Sequence, residues 1–408
     1  MVHIQMWWVF AYMQRNLCWV VLLAENLLSL VNTLLIDFSP GEVRVAALSD
    51  QKIIEFYHHN YSNIATVGAI FCARVTHLVS RSRLIFLDIG LEYPAILSQP
   101  KKALDIGQRI FVRIVQPARL DKGAKVVIVP DQELQRHLGA AEAVKGTIGC
   151  IVKAEHPINM CIRLYEDTLE NIICSPLSSQ KRLESILGYE PKIPVKYTNS
   201  EIFREHGIDD VIEESLEPVV TLAGGARLIL ENTSAFTAVD IDSGPLSPVI
   251  ANEIAVSALA DEIRRRAIGG GIIVDLIPCR DRGKYVTQLR ELVTKDPVPT
   301  RVSGLTPEGR LELNRRRVRR SLQEELLNEG PQYDRCPRSV GFEILRRCVR
   351  LGLVEQSLNI QVSAHPIVVN LLKNILKAAV LEAESILKVS IRLQESKNSK
   401  VDSYDILL

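Results

Sequence analysis

Asp240 and Asp275 each close a short apolar run. The first run, FTAVDIDSG, alternates apolar and polar residues, so a strand over it puts Asp240 and Asp242 on one face. The second, Gly271 to Ile277, is a short apolar strand bounded by glycines and Pro278. Between them Ile250, Ile254, Ala258, Leu259 and Ile263 recur at helical spacing. The unit therefore reads strand, helix, strand, with the two strands parallel and adjacent. That places Asp240 and Asp275 at neighbouring carboxyl ends, where open α/β sheets bind ligands. Two carboxylates held close repel each other unless a cation or a shared proton lies between them. Magnesium suits such a pair, because it binds through one or two carboxylates, keeps several waters and can activate one against a phosphate. A single aspartate at a strand end is ordinarily a turn cap; two at matched ends point to a site.

The 408 residues suffice for two to four domains, and 47% hydrophobic content supplies their cores. Lys+Arg at 49 against Asp+Glu at 48 excludes a globally basic nucleic-acid binder, so any such footprint is local. Eight cysteines occur without a CxxC pair, which suits a reducing cytoplasm. Residues 1–33 hold all three tryptophans and a short apolar run, Leu17 to Ala24, too brief to span a membrane. They read as an extension outside the fold, and any membrane association is confined to them.

From Leu34 the pattern is rich in strands. A Pro40-Gly41 turn sets up a hairpin. Several short strands with Gly and Pro between them follow, the pattern of a small barrel of OB type. Phe71, Phe86 and Tyr93 are candidate stacking faces and Arg74, Arg113 and Lys122 a candidate phosphate track; equally, the aromatics could fill the barrel. Beyond Asp275 the chain turns basic at Arg280, Arg282 and Lys284, and again at Arg310, Arg315, Arg316, Arg317, Arg319 and Arg320.

The order of these segments resembles the bacterial ribonuclease E/G family of endoribonucleases. LLIDFSPGEVRVAAL is similar to its opening strands, GAIFCARVTHLVSRSRLIFLDIGLEYPAIL to its inserted OB-fold RNA-binding module, LAGGARLILENTSAFTAVDIDSG and IRRRAIGGGIIVDLI to its two aspartate strands, and GRLELNRRRVRRSL to its paired-arginine segment. The resemblance implies a multidomain α/β fold. It comprises a ribonuclease-H-like subdomain (34–62 and 171–222) with an OB-fold β-barrel (63–130) inserted in it and a reduced 5′-sensor region (131–170). A DNase-I-like catalytic subdomain (223–335), a degenerate zinc-link (336–339) and a small C-terminal α/β domain (340–408) follow.

Carried over position by position, the resemblance makes Asp240, Asp275 and Asp242 the catalytic residues, Asp240 and Asp275 binding magnesium and Asp242 standing where many members have an asparagine that orients the chemistry. Phe86 and Lys122 fall on RNA-contacting barrel positions, and Arg315 and Arg317 on the paired arginines; the second stacking aromatic is missing, with Ile96 or a neighbour in its place. Glu253 directly follows Asn252, one place early for the family's Asn-x-Glu, and is left out of the site. Lys153 replaces the arginine of the 5′-monophosphate sensor, and lysine lacks the bidentate fork. Cys336 is a remnant of the zinc-link, whose second cysteine is Ser339; a zinc link is therefore not expected, and a homodimer would form without it. The chain ends where the compact, G-like members end.

Two functions follow. One is a cytoplasmic, magnesium-dependent endoribonuclease of RNA processing and decay, cutting single-stranded RNA to 5′-phosphate and 3′-hydroxyl ends. The other is an RNA-binding protein of the same fold with little catalysis.

Overall fold

Pro40-Gly41 folds the first apolar run back on itself, with Gly41 at φ +75°, a backbone that favours glycine. Strands β1 (Thr33–Ser39), β2 (Glu42–Ser49) and β3 (Lys52–Asn60) pair antiparallel in sequence order. The computed structural model describes residues 31–79, 83–98, 103–119, 122–137, 147–189, 191–328, 334–356, 359–396 and 400–408. The expected N-terminal extension lies outside them except for its last residues, of which Thr33 begins β1.

Next, β4 (Ile70–Val79), β5 (Leu84–Asp88), β6 (Ala95–Ser98), β7 (Arg109–Gln116) and β8 (Lys125–Ile128) close a barrel in the order β4-β5-β6-β8-β7-β4. Only β6 and β8 run parallel in it. Phe71, Val75, Leu87, Leu97, Val112 and Ile114 fill the interior. Strand β9 (Gly149–Val152) extends the barrel at β4.

The chain then returns to the first sheet. β10 (Asn171–Ser175) lies parallel to β1, and β11 (Val195–Tyr197) parallel to β10. The helix Pro157–Tyr165, expected within a 5′-sensor region, buries Ile158, Cys161, Ile162 and Tyr165 in one core with Leu34, Val45 and Ile172 of this sheet.

A six-stranded sheet follows, ordered β12-β13-β14-β15-β17-β16. Its strands are β12 (Val219–Thr221), β13 (Arg227–Asn232), β14 (Phe236–Asp242), β15 (Gly270–Asp275), β16 (Thr300–Leu305) and β17 (Leu311–Arg315). β12 pairs with β13, so Val219–Thr221 joins this sheet and not the first, where residues 171–222 were grouped. Only β14 and β15 are parallel, joined through the helix Pro248–Arg265. Pro248 opens that helix, and the Ser247 hydroxyl caps it by accepting from the Ile250 N–H. Its buried stripe runs through Ala251, Ala255, Val256, Leu259 and Ile263, while Ile250, expected within the stripe, is 43% exposed. The small alanines set the helix close to the sheet, so the bulkier Ile250 is turned outward.

The last unit packs the helices Pro337–Glu355, Pro366–Lys373 and Lys377–Leu387 on β18 (Ile360–Ala364), β19 (Ile391–Glu395) and β20 (Tyr404–Leu407), ordered β19-β18-β20. The molecule is thus a multidomain α/β protein, and no helix among the described residues is long and apolar enough to cross a membrane.

Candidate active site

The parallel pairing of β14 and β15 brings Asp240 and Asp275 into register as direct cross-strand partners. The pleat sends Val239, Ile241, Ile272 and Val274 down onto the helix residues Ala255 and Leu259. The two aspartates face the other way and are exposed. No described residue gives either carboxylate a hydrogen bond or an ion pair, so both keep their full acceptor capacity. Among the described residues no group of three or more His, Cys, Asp or Glu side chains is placed to cage a metal. A two-carboxylate donor set fits an ion that retains waters, not a closed all-protein cage.

The loop after Asp275 is fixed from below. Asn252, fully buried in the helix, donates to the Ile277 carbonyl at 2.8 Å and accepts from the Ile277 N–H at 3.0 Å. This two-way amide clamp holds the carboxyl end of β15 against the helix that leaves β14. Asn252 is a positioning residue that the sequence reading left out of the site; the signal was an asparagine on an otherwise apolar helix face.

Asp242 shares the face of Asp240 but is committed elsewhere. Arg227 on β13 donates to it from Nε at 3.1 Å, and the Gly244 N–H donates at 2.9 Å. The Gly244 N–H and the Arg227 guanidinium hold its carboxyl below the usual range. The extra negative charge relative to an asparagine is therefore offset within the sheet.

The arginine segment is placed differently from the expectation of an RNA-contacting pair. Arg315 is 2% exposed, donates to both Asp296 oxygens at 2.7 and 3.2 Å, and gives a third hydrogen bond to the Ile268 carbonyl at 3.0 Å. Its fork is saturated inside the fold, where no phosphate reaches it. Arg317 donates to Glu324 at 3.1 Å and to the Gly269 carbonyl. A Cβ at Gly269 would meet the Arg317 Cα at 3.1 Å, and Gly270 sits at φ +97°, a backbone that favours glycine. Arg319 lies over the Tyr57 ring, 4.1 Å from its centre. Arg280 and Arg316 remain exposed and without a described partner.

On the barrel, Phe86 is half-buried on the outer face, in a cross-strand row His77, Phe86, Ile96, Lys125. Phe71 is instead fully buried in the barrel core, and Arg74 and Arg113 are paired with Asp88 and Glu133. Lys122 is exposed and bridged through its backbone to Arg119. Arg119 reaches across to the six-stranded sheet's unit, donating to the Thr233 carbonyl at 3.0 Å and pairing with Glu324 at 2.8 Å. That tether seats Lys122 beside the loop joining β13 and β14.

Cys336 caps the helix Pro337–Glu355, its sulfur accepting from the Ser339 N–H at 3.4 Å. Ser339 is buried and donates to the Leu326 carbonyl at 2.9 Å. The second position of the thiolate pair is thus an inward-facing hydroxyl, and the seven described cysteines are free thiols.

Comparison with known sequences finds ribonucleases. Ribonuclease G of Haemophilus influenzae (strain ATCC 51907 / DSM 11121 / KW20 / Rd) is 23% identical over 485 residues, covering 92% of this chain and 99% of that protein. Ribonuclease G of Escherichia coli (strain K12) is 24% identical over 484 residues, with the same coverage. Ribonuclease E of Escherichia coli (strain K12) is 28% identical over 216 residues, covering 48% of this chain but 20% of its own length. The sequence model of the Ribonuclease E/G family matches residues 131–318, which include Asp240, Asp275 and the glycine and arginine segments between which they lie. Over these residues, and in its overall match to ribonuclease G, this chain is similar to the ribonuclease E/G family.

Proposed function

We propose that the protein is a magnesium-dependent endoribonuclease that hydrolyses internal phosphodiester bonds of single-stranded RNA, leaving 5′-phosphate and 3′-hydroxyl ends. The observation that carries this reading is the register of Asp240 and Asp275, two uncommitted carboxylates side by side on an exposed sheet face. They are the residues that would hold the ion. Magnesium, when bound, would neutralise charge gathering on the phosphate and make water a better nucleophile at neutral pH. Asn252 holds the second carboxylate's strand end in place, and Arg227 keeps Asp242 from adding an unpaired charge.

The same reading assigns the units. The five-stranded sheet, three antiparallel strands flanked by two parallel ones, is the ribonuclease-H-like subdomain; the closed barrel with its one parallel pair is the OB module; the six-stranded sheet is the DNase-I-like catalytic unit. Phe86 and Lys122 supply a stacking face and a phosphate contact on the barrel. The 5′-sensor is reduced. In support, the alignment with ribonuclease G runs to 484 positions yet takes in 92% of a 408-residue chain, so a sizeable part of that relative has no counterpart. The enzyme acts in the cytoplasm, and its homodimer forms without a zinc staple, in keeping with the inward-facing Ser339.

The test is cleavage of a fluorescent, A/U-rich single-stranded RNA by the full chain with magnesium and with chelator. Magnesium-dependent cutting is expected, falling about a thousandfold in Asp240→Asn and in Asp275→Asn. Both variants should unfold at the wild-type temperature, since the side chains are exposed and unpartnered. Wild type that binds this RNA but cuts it at no magnesium concentration would leave an RNA-binding protein and end the endonuclease reading.

A further inference from the structure

The face that carries Asp240 and Asp275 has a second row with its own chemistry. Cross-strand register lines up Phe236 on β14, Gly271 on β15, Asn314 on β17 and Arg301 on β16. Phe236 is 38% exposed, and Asn314 and Arg301 are exposed too. No described residue hydrogen-bonds to the Asn314 amide or the Arg301 guanidinium. Among the described residues each is unpartnered, on a face that no described helix covers.

Gly271 makes this row a slot. A Cβ there would have Phe236 Cβ at 3.6 Å as its sole neighbour within 4 Å, so the space above the glycine is open. With strands about 4.8 Å apart, an aromatic ring and a carboxamide stand about 10 Å from each other across that gap. Aromatic faces stack on bases, a carboxamide offers a donor and an acceptor to a base edge, and a guanidinium at the rim suits a phosphate. Phe236 precedes Asp240 by two pleats on the same face, about 13 Å along the strand. The slot is therefore continuous with the aspartate pair.

We propose that Phe236, Gly271 and Asn314 form a base-binding slot on the catalytic sheet, which holds one base of single-stranded RNA at a set distance from the bond cut at Asp240 and Asp275. Phe236 stacks on the base, Asn314 reads its edge and Arg301 takes a neighbouring phosphate. The slot offers a stacking surface on the catalytic unit where the barrel row has Ile96 beside Phe86. The proposal rests on the endoribonuclease reading for the cut, but not for the binding.

Its test uses the full chain and short RNAs carrying 2-aminopurine at successive positions. Binding is measured in Asp240→Asn, which separates it from cleavage. One position should show quenched fluorescence on binding, lost in Phe236→Ala and in Gly271→Val, which fills the slot, and retained in Phe236→Trp. In the cleaving protein Phe236→Ala should lower kcat/KM about tenfold to a hundredfold, the loss of one stacked base. Asn314→Leu should alter the base preferred at one fixed distance from the cut. The slot is refuted if Phe236→Ala and Gly271→Val leave quenching, affinity and cut-site preference within about twofold of wild type, a change below the weakest stacking contribution. Cutting that persists with all variants alike defeats the slot and leaves the enzyme standing. Quenching that depends on Phe236 in a protein that never cuts defeats the enzyme and leaves the slot.

Discussion

The five-stranded and six-stranded sheets are built from similar strands and put them to opposite use. Every residue of β2 is buried, because Val43 and Val45 pack on one side with Ile158 and Ile172, and Ala46 and Leu48 on the other with Ile202 and Ile212. Among the described residues the six-stranded sheet is covered on one side alone: Val239, Ile241, Ile272 and Val274 pack with the helix Pro248–Arg265, while Phe236, Asp240 and Asp275 are exposed. A sheet buried on both faces supports; a sheet with one face free can hold a long flexible substrate. The arginines follow the same division. Arg44 is enclosed by Asp37 and Asp209 and lies over Phe203, whereas Arg301 stands exposed on the open sheet.

This contrast is sharpened most by Glu55, which joins the two regions. On β3 it is 2% exposed and paired with Arg264 at the end of the helix Pro248–Arg265. Glu55→Ala leaves that arginine buried without its partner, a change that costs about 3–5 kcal/mol. Urea unfolding should show it, and a loss below about 1 kcal/mol would mean the pair adds no more than an exposed one. Burial by itself would raise the Glu55 carboxyl, but Arg264, Arg319 and the Tyr57 hydroxyl outweigh it and hold the group below its ordinary 4.5. A folded pKa below the unfolded one means that Glu55 stabilises the protein above the unfolded value. That contribution is lost as pH falls through the folded pKa, and Glu55→Gln should flatten this acid limb.

A smaller effect is expected at Arg315, which belongs to the supporting kind of arginine although it sits on β17 of the open sheet. Arg315→Lys cannot reproduce the fork on Asp296 and should cost about 2 kcal/mol of stability. The salt dependence of RNA binding should not move. A slope lower by about 0.7 would instead restore Arg315 as a phosphate contact.

The smallest change belongs to Asp242. Its partner Arg227 already offsets its charge at the surface, so Asp242→Asn should alter the cleavage rate by no more than about fivefold. A thousandfold loss, matching that expected for Asp240→Asn, would place Asp242 within the reacting centre itself.

Much of the site was legible in the residues. Alternation around Asp240, the apolar run ending at Asp275 and the helical spacing between them specify a strand-helix-strand unit, and β14, β15 and the helix Pro248–Arg265 have that form. Pro40-Gly41 marked its hairpin for the same reason, since a turn is a local choice of backbone angles. The arginines were illegible. Nothing in Arg315-Arg316-Arg317 distinguishes a guanidinium folded onto Asp296 from one exposed to solvent or one braced on Glu324. Those fates depend on residues distant in sequence. In the helix Pro248–Arg265 the expected Leu259 and Ile263 are buried, but in its first turns Ala251 and Ala255, weakly apolar by type, take the places expected of Ile250 and Ile254.

The sequence by itself determined the local elements and the identity of the two carboxylates, because propensity, turn chemistry and apolar period act over a few residues. The tertiary structure alone decided that these carboxylates lie uncommitted on an open face, that Asp242 is neutralised by Arg227, and that Phe236, Gly271 and Asn314 share a row. Cross-strand register and burial arise only when strands far apart in the chain are laid side by side.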